Sequence, residues 1–223
     1  MPGVAKLSSS PAMSRMLLVI GNKNYSSWSL RPWLAMKVLG IAFDEKRIPL
    51  YTNGSKAEIL RYSPGGKVPI LHDGTTVVWE SLAILEYLAE RYPQLWPRDA
   101  AERARARSIA AEMHSGFGKL REHMSMNIRK RYPGKGRTPE VMQEIERIQE
   151  IWRAARGPFL FGSFGAADAM YAPVVLRFRT YEVDLAPASR RYADAVLALP
   201  AMRDWIAAAE REAEAIPALD IYE

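Results

Sequence analysis

The sequence predicts two structural classes in one chain, an α/β layer of order β-α-β-α-β-β-α over residues 16–92 and an all-helical half over residues 99–223. Three observations carry this reading. First, two β-branched apolar runs, Val68 to Leu71 and Thr75 to Trp79, flank Asp73-Gly74, the turn chemistry of a β-hairpin. Second, short apolar runs alternate with helix-periodic segments ahead of that hairpin. Third, beyond Pro93 and Pro97, which bracket a linker at residues 93–98, the apolar spacing is helical almost throughout.

Taken in order, Met16 to Ile20 is a short apolar strand closed by Gly21. Asn22 to Ser27 is a polar loop of turn and cap residues. A helix follows from about Ser29 to Leu39, with Pro32 placed in its first turn and Gly40 ending it. Residues 43–48 alternate as a second strand, and a short helix around Lys56 to Arg61 stops before Pro64. Pro69 opens the first hairpin strand, where a missing N–H costs the ladder least. Glu80-Ser81 ends the second strand, and Leu82, Leu85 and Leu88 then recur at helical spacing. A carboxylate and a hydroxyl thus stand at a helix N-terminus, whose free N–H groups and dipole suit a small anion.

In the second half, Ile109, Met113, Phe117, Leu120 and Met124 recur as a single helical stripe. Core is its default destination, and Met113 and Phe117 are the members expected to reach a substrate pocket, since methionine adapts to varied apolar shapes. Further helices are predicted over 139–156, 168–180, 189–199 and 201–214.

Composition narrows the function classes. The chain has no cysteine, which excludes a disulfide framework, a thiolate metal site and a Cys-X-X-Cys redox centre. Any reactive thiol must therefore arrive with a ligand. His72, His114 and His123 stand at no metal-ligand spacing, so no metal is expected; His114 and His123 read as surface residues. Residues 1–15, with Ser8 to Pro11, read as a disordered tail without the apolar core of a secretory signal, and no run approaches a membrane span. Cytoplasmic location and no membrane partner are expected. The formal charge of +6 draws on Arg129, Lys130, Arg131, Lys135 and Arg137, but Pro133, Gly134 and Gly136 break that run. It reads as a solvated loop, with no nucleic acid as partner.

The ordered elements Gly66-Lys67-Val68-Pro69-Ile70-Leu71, Asp73-Gly74 and Glu80-Ser81 with its helix resemble the glutathione-binding half of the glutathione S-transferase superfamily. The helical half is similar too, through Phe159-Leu160-Phe161-Gly162 and Ala167-Asp168-Ala169. The resemblance implies a thioredoxin-like first domain with glutathione as cosubstrate. It implies a cis Pro69, a backbone contact from Val68 to the cysteinyl part of glutathione, and Glu80 and Ser81 at the γ-glutamyl end. Lys67 would reach the glycyl carboxylate or the backbone of glutathione, the alternative being a solvated lysine beside a turn. The family usually has Ser or Thr three residues before the aspartate; Gly165 stands there, a departure bearing on folding, so Asp168 is expected to be structural. A homodimer is implied as well.

A free thiol, with a pKa of about 8.5, is mostly protonated at neutral pH, and a hydroxyl donating to the glutathione sulfur beside a helix N-terminus favours the reactive thiolate. Tyr25, Ser26 and Ser27 lie where that hydroxyl belongs. The run from Ser26 to Arg31 resembles the zeta-class pattern, with Ser26 in the catalytic position, Ser27 beside it, and Trp28 where that class has a cysteine used in isomerisation. Ser26 and Ser27 are the catalytic candidates; Tyr25 is the weaker hydroxyl and a pocket candidate. A zeta-class arginine for substrate carboxylates falls near Thr180, with Arg177 and Arg179 close but out of register. The expected activity is transfer of glutathione to a small apolar electrophile. The alternatives are a zeta-like isomerase and a non-catalytic binding module, in which Ser26 and Ser27 merely cap a helix.

Overall fold

The computed structural model describes residues 15–222 of the chain. All of the predicted tail except Arg15 lies outside the described residues. The first half runs β1 (Met16–Ile20), α1 (Ser27–Val38), β2 (Phe43–Arg47), α2 (Ser55–Leu60), β3 (Ile70–Asp73), β4 (Thr76–Trp79) and α3 (Ser81–Arg91). The four strands form one sheet in the order β2-β1-β3-β4, with β1 parallel to β2 and the other pairings antiparallel. Period-two alternation places Met16, Leu18, Ile20 and Leu71 against α1 and α3. Val19, Ile48 and Ile70 pack with Ile59 of α2 on the opposite face. Both faces are therefore covered at the central strands β1 and β3, while the edge strands β2 and β4 keep exposed residues.

A single 3-10 turn at Pro93–Leu95 leads into α4 (Ala100–Ser115), α5 (Gly118–His123), α6 (Pro139–Arg153), α7 (Ala166–Tyr181), α8 (Pro187–Ala198) and α9 (Pro200–Glu210). The apolar α7 is buried along nearly its whole length and packs on α1, so one continuous core joins the two halves. Among the described residues no helix is long and apolar enough to cross a membrane.

Two local expectations are corrected. Helix α1 begins two residues before the predicted start, so Pro32 lies in its interior rather than its first turn, and Trp28 loses the helical donor its carbonyl would otherwise receive. The stripe from Ile109 to Met124 is two helices. Gly116 and a left-handed Phe117 (φ 56°) break it, and the Glu144 carboxylate of α6 restarts it by accepting the Lys119 and Leu120 amides at 3.3 and 2.6 Å.

The start of α7 explains Gly165. A Cβ there would lie 2.8 Å from the Leu95 carbonyl oxygen, so the linker passes too close for a serine. Asp168 supplies the cap alone, accepting the Leu160 amide at 3.0 Å and the Gly165 amide at 2.9 Å. Burial raises its carboxyl to about 6 against the pull of those two amides.

Candidate active site

A cleft of about 1060 Å³ opens between the two halves. Its first-domain wall is built where strands give way to helices or loops. The Val68–Pro69 peptide at the mouth of β3 is cis, as the resemblance implies, and Lys67, Val68 and Pro69 all line the cleft. Gly66 before them has φ +56°, and a side chain there would meet Lys56, whose Nζ donates to the Gly66 carbonyl at 2.8 Å. Lys56 thereby holds the segment from below.

Glu80 is in the wall, half exposed, with its backbone in the left-handed half of φ space at 69°. Conformations of this kind persist where the surroundings over-determine them, commonly at functional sites. It precedes α3, whose first turn has no side-chain cap and whose first intrahelical hydrogen bond is the one the Ile84 amide donates to the Glu80 carbonyl. Ser81 departs from expectation. Its side chain is fully buried, turned inward to accept from Arg31 Nη1 at 3.5 Å, and is not part of the cleft wall.

At the start of α1, Tyr25, Ser26 and Ser27 all line the cleft, but their hydroxyls are differently engaged. Ser26 is the N-cap of α1: its Oγ accepts the Ser29 amide at 3.3 Å and donates to Ser29 Oγ at 2.7 Å. The Tyr25 hydroxyl donates to Asp220 at 3.0 Å and accepts the Ile216 amide at 3.2 Å, which binds the last turns of the chain to the first domain. Ser27 Oγ accepts from Arg177 Nη2 at 3.3 Å.

The helical wall contains residues that sequence reasoning did not place here. Met113 and Phe117 are corrected: both are buried in the core behind the cleft, Phe117 against Tyr171, and neither lines it. His114 stands in their place; it is no free surface residue but lies edge-on to Trp28 with Nε2 3.8 Å from Glu80. Burial, with Arg31 adding to it, lowers the His114 pKa, so the ring is neutral at pH 7. Arg121 and Arg177 also line the cleft, while Thr180, near the position where the resemblance sought an arginine, spends its hydroxyl on the Asn127 carbonyl. No spacing rule joins these three; they stand on α4, α5 and α7, and only the tertiary packing of those helices brings them to one wall.

Charge is the dominant feature of the site. Lys56, Lys67, Arg121 and Arg177 line the cleft, against Glu80 as the one carboxylate among its lining residues. Behind the wall, Arg31 is fully buried with its guanidinium 4.1 Å from the Trp28 ring, and its Nε and Nη2 have no partner. Burial, then the nearby Arg121 and Arg177, push its pKa well below the usual range. Arg121 lies 5.1 Å from the same ring. The wall can hold anions, and among the described residues no group of three or more His, Asp or Glu could hold a metal.

The basic run 129–137 is a surface loop, as read from the sequence, with Lys130, Arg131, Lys135 and Arg137 exposed, and its arginines are tied down by backbone carbonyls. Arg129 donates to the Glu212 and Glu214 carbonyls, Arg131 to those of Ile128 and Lys130, and Arg137 to that of Glu182.

Comparison with known proteins agrees with this geometry. The glutathione S-transferase N-terminal domain matches residues 25–91, and the glutathione S-transferase C-terminal domain matches residues 98–208. The maleylacetoacetate isomerase of Rattus norvegicus is 30% identical over 72% of this chain and 77% of its own length. That of Pseudomonas aeruginosa is 29% identical over 81% and 91%. A crystal structure of a Burkholderia glutathione transferase homologue with bound glutathione shares the fold with a TM-score of 0.69, at 22% identity over 89% of this chain and all of that one. A zeta-class maleylpyruvate isomerase does so with a TM-score of 0.65, at 23% identity over the same shares. With both domain models in place over most of its length, this chain belongs to the glutathione S-transferase family.

Proposed function

We propose that the chain binds glutathione across the first-domain wall, activates its thiol and transfers it to a small electrophile. One observation carries this: the cis Val68–Pro69 strand entry, the uncapped start of α3 behind Glu80, and the Ser26-Ser27 pair all face one cationic cleft. The Val68 backbone would pair with the cysteinyl part, and the first amides of α3 with Glu80 would hold the γ-glutamyl end. Lys67 would meet the glycyl carboxylate. A hydroxyl of the serine pair donates to the thiolate, whose proton goes to solvent. The sulfur–carbon bond then forms as the carbon–leaving-group bond breaks with its electron pair, or as a carbon–carbon double bond opens and the carbon that takes its electron pair is protonated by water. Calorimetric titration with glutathione, then turnover assays on aryl halides, epoxides, enones and peroxides, test the reading. Absence of binding heat refutes it.

The zeta-like isomerase is the second reading. Arg121 and the unpartnered Nη1 of Arg177 offer cationic contacts for an electrophile carboxylate, and the sequence relatives named above are isomerases. Trp28 at the cysteine position weighs against it. Direct assay of glutathione-dependent cis-trans isomerisation of a maleyl keto acid decides between the two. A two-fold homodimer and a cytoplasmic location complete the proposal on the strength of the family, and sedimentation showing one species of 25.1 kDa would remove the dimer.

A further inference from the structure

The two serines at the start of α1 differ in what their hydroxyls already do. Ser26 has given its one hydrogen to Ser29 Oγ, which is itself held by the Gly21 amide at 3.0 Å. It also accepts the Ser29 amide, so it is committed both as donor and as acceptor. Ser27 Oγ only accepts: the Arg177 N–H reaches it at 3.3 Å, and among the described residues its own hydrogen has no acceptor.

Arg177 is an unusual partner for a serine. It is 4% exposed, its Nε donates to the Met124 carbonyl at 2.8 Å, and its Nη1 is buried without a partner. No carboxylate neutralises it. The groups bearing on its charge are Arg121 from α5 and Tyr181 from its own helix, and Arg31 from α1 lies close enough to be influenced by it. The remaining titratable groups around this part of the cleft are Glu80, half exposed, and the neutral His114 from α4. Burying an unpaired cation is costly, and an anion bound beside it would relieve that cost.

We propose that Ser27 is the hydroxyl that meets the glutathione sulfur, and that Arg177 is a positioning residue behind it, in the order Arg177 N–H to Ser27 Oγ, Ser27 O–H to thiolate. The inference rests on the cleft being the glutathione site. A hydroxyl that accepts a charged hydrogen bond is polarised into a stronger donor. The unneutralised guanidinium one residue away favours the anion further. The thiol S–H bond breaks, its proton leaves to water, Ser27 keeps its own hydrogen, and no protein base is needed. The activating charge comes from the helical half, through a contact that spans 150 positions of sequence.

The test titrates the ultraviolet absorbance of the bound thiolate in the full chain, with glutathione affinity measured alongside by calorimetry. Ser27→Ala and Arg177→Met should each raise the bound thiol pKa by about one unit, a tenfold loss of thiolate at a pH below it. The rising limb of the kcat/KM–pH profile should move with it, while affinity at acid pH, where the thiol is protonated, holds. Arg177→Lys should recover most of the shift. The double variant should move the pKa no further than either single one, since both act in one chain of bonds. If Arg177→Met does not fold, Ser27→Ala and Arg177→Lys decide alone. A larger shift from Ser26→Ala, an unmoved pKa in Ser27→Ala, or a double variant that shifts by the sum overturns the relay while glutathione binding stands. No binding heat in the natural protein overturns the glutathione reading itself.

Discussion

Replacing Tyr25 by Phe separates a structural hydroxyl from a catalytic one. Tyr25 is 5% exposed and its hydroxyl donates to Asp220, itself 7% exposed, and accepts from the Ile216 amide. Arg129 Nη2 reaches the same oxygen at 3.3 Å. Removing it costs one charge-assisted hydrogen bond, roughly 1.5–3 kcal/mol, and leaves the Ile216 amide buried without this acceptor. The Asp220 carboxylate keeps the Asn127 amide at 2.6 Å, which limits the damage. The net loss should be about 2–3 kcal/mol, read as a lower urea midpoint with an unchanged slope. The thiol pKa of bound glutathione should stay where it is, because the hydroxyl is turned toward the C-terminal segment. An unchanged midpoint with a raised thiol pKa would show the tyrosine, not the serine pair, serving the sulfur.

The remaining predictions use the same measurements. Burial holds the Asp168 carboxyl at about 6 against an ordinary 3.8, so the folded chain retains a proton between those values that the unfolded chain has released. Stability from this group is therefore full below pH 3.8 and falls as pH rises through 6, by on the order of 3 kcal/mol, and Asp168→Asn should abolish that slope between pH 4 and 7. Gly165→Ser should lower the melting temperature despite restoring a capping hydroxyl, because its Cβ meets the Leu95 carbonyl at 2.8 Å; a rise would show that the linker yields. Glu80→Gln removes the wall's one carboxylate and should weaken glutathione about tenfold, and unchanged affinity would take Glu80 out of the site.

The first domain was legible because its signals are local. Asp73-Gly74 between β-branched runs fixes the hairpin, and the change from period two to helical spacing at Glu80-Ser81 fixes where α3 starts. What escaped was set by contacts distant in sequence. Met113 to Met124 keeps helical spacing straight through the break at Gly116, since the residue that restarts the helix, Glu144, lies 24 positions beyond Leu120. Ser26 and Ser27 are the same residue type side by side, and only the inward turn of Ser29 decides which hydroxyl is spent. His114, Arg121 and Arg177 carry no mutual spacing at all. The sequence places His114 at the surface and Arg177 out of register with the expected arginine, and the tertiary fold sets them with Arg121 in one wall.

The loop that presents the serines is held from the helical half as well. Glu212 accepts the Lys23 amide at 2.7 Å and the Asn24 amide at 3.0 Å, while Trp205 Nε1 donates to the Lys23 carbonyl at 3.0 Å. Asn24 Oδ1 in turn accepts the Ile128 and Arg129 amides at 2.8 and 2.9 Å. The segment from Gly21 to Ser27 is thus fixed on both sides before any ligand enters, and Arg177 is fixed by the Met124 carbonyl. Donors and charges held in this way need no reorganisation when the thiolate forms, which is where electrostatic stabilisation gains most. On the proposed reading the first domain would supply the backbone that recognises the ligand, and the corner facing the sulfur would draw charge and rigidity from the second domain as well. The proposed relay therefore makes the two halves one catalytic unit, with its chemistry at the α1–α7 contact between Ser27 and Arg177.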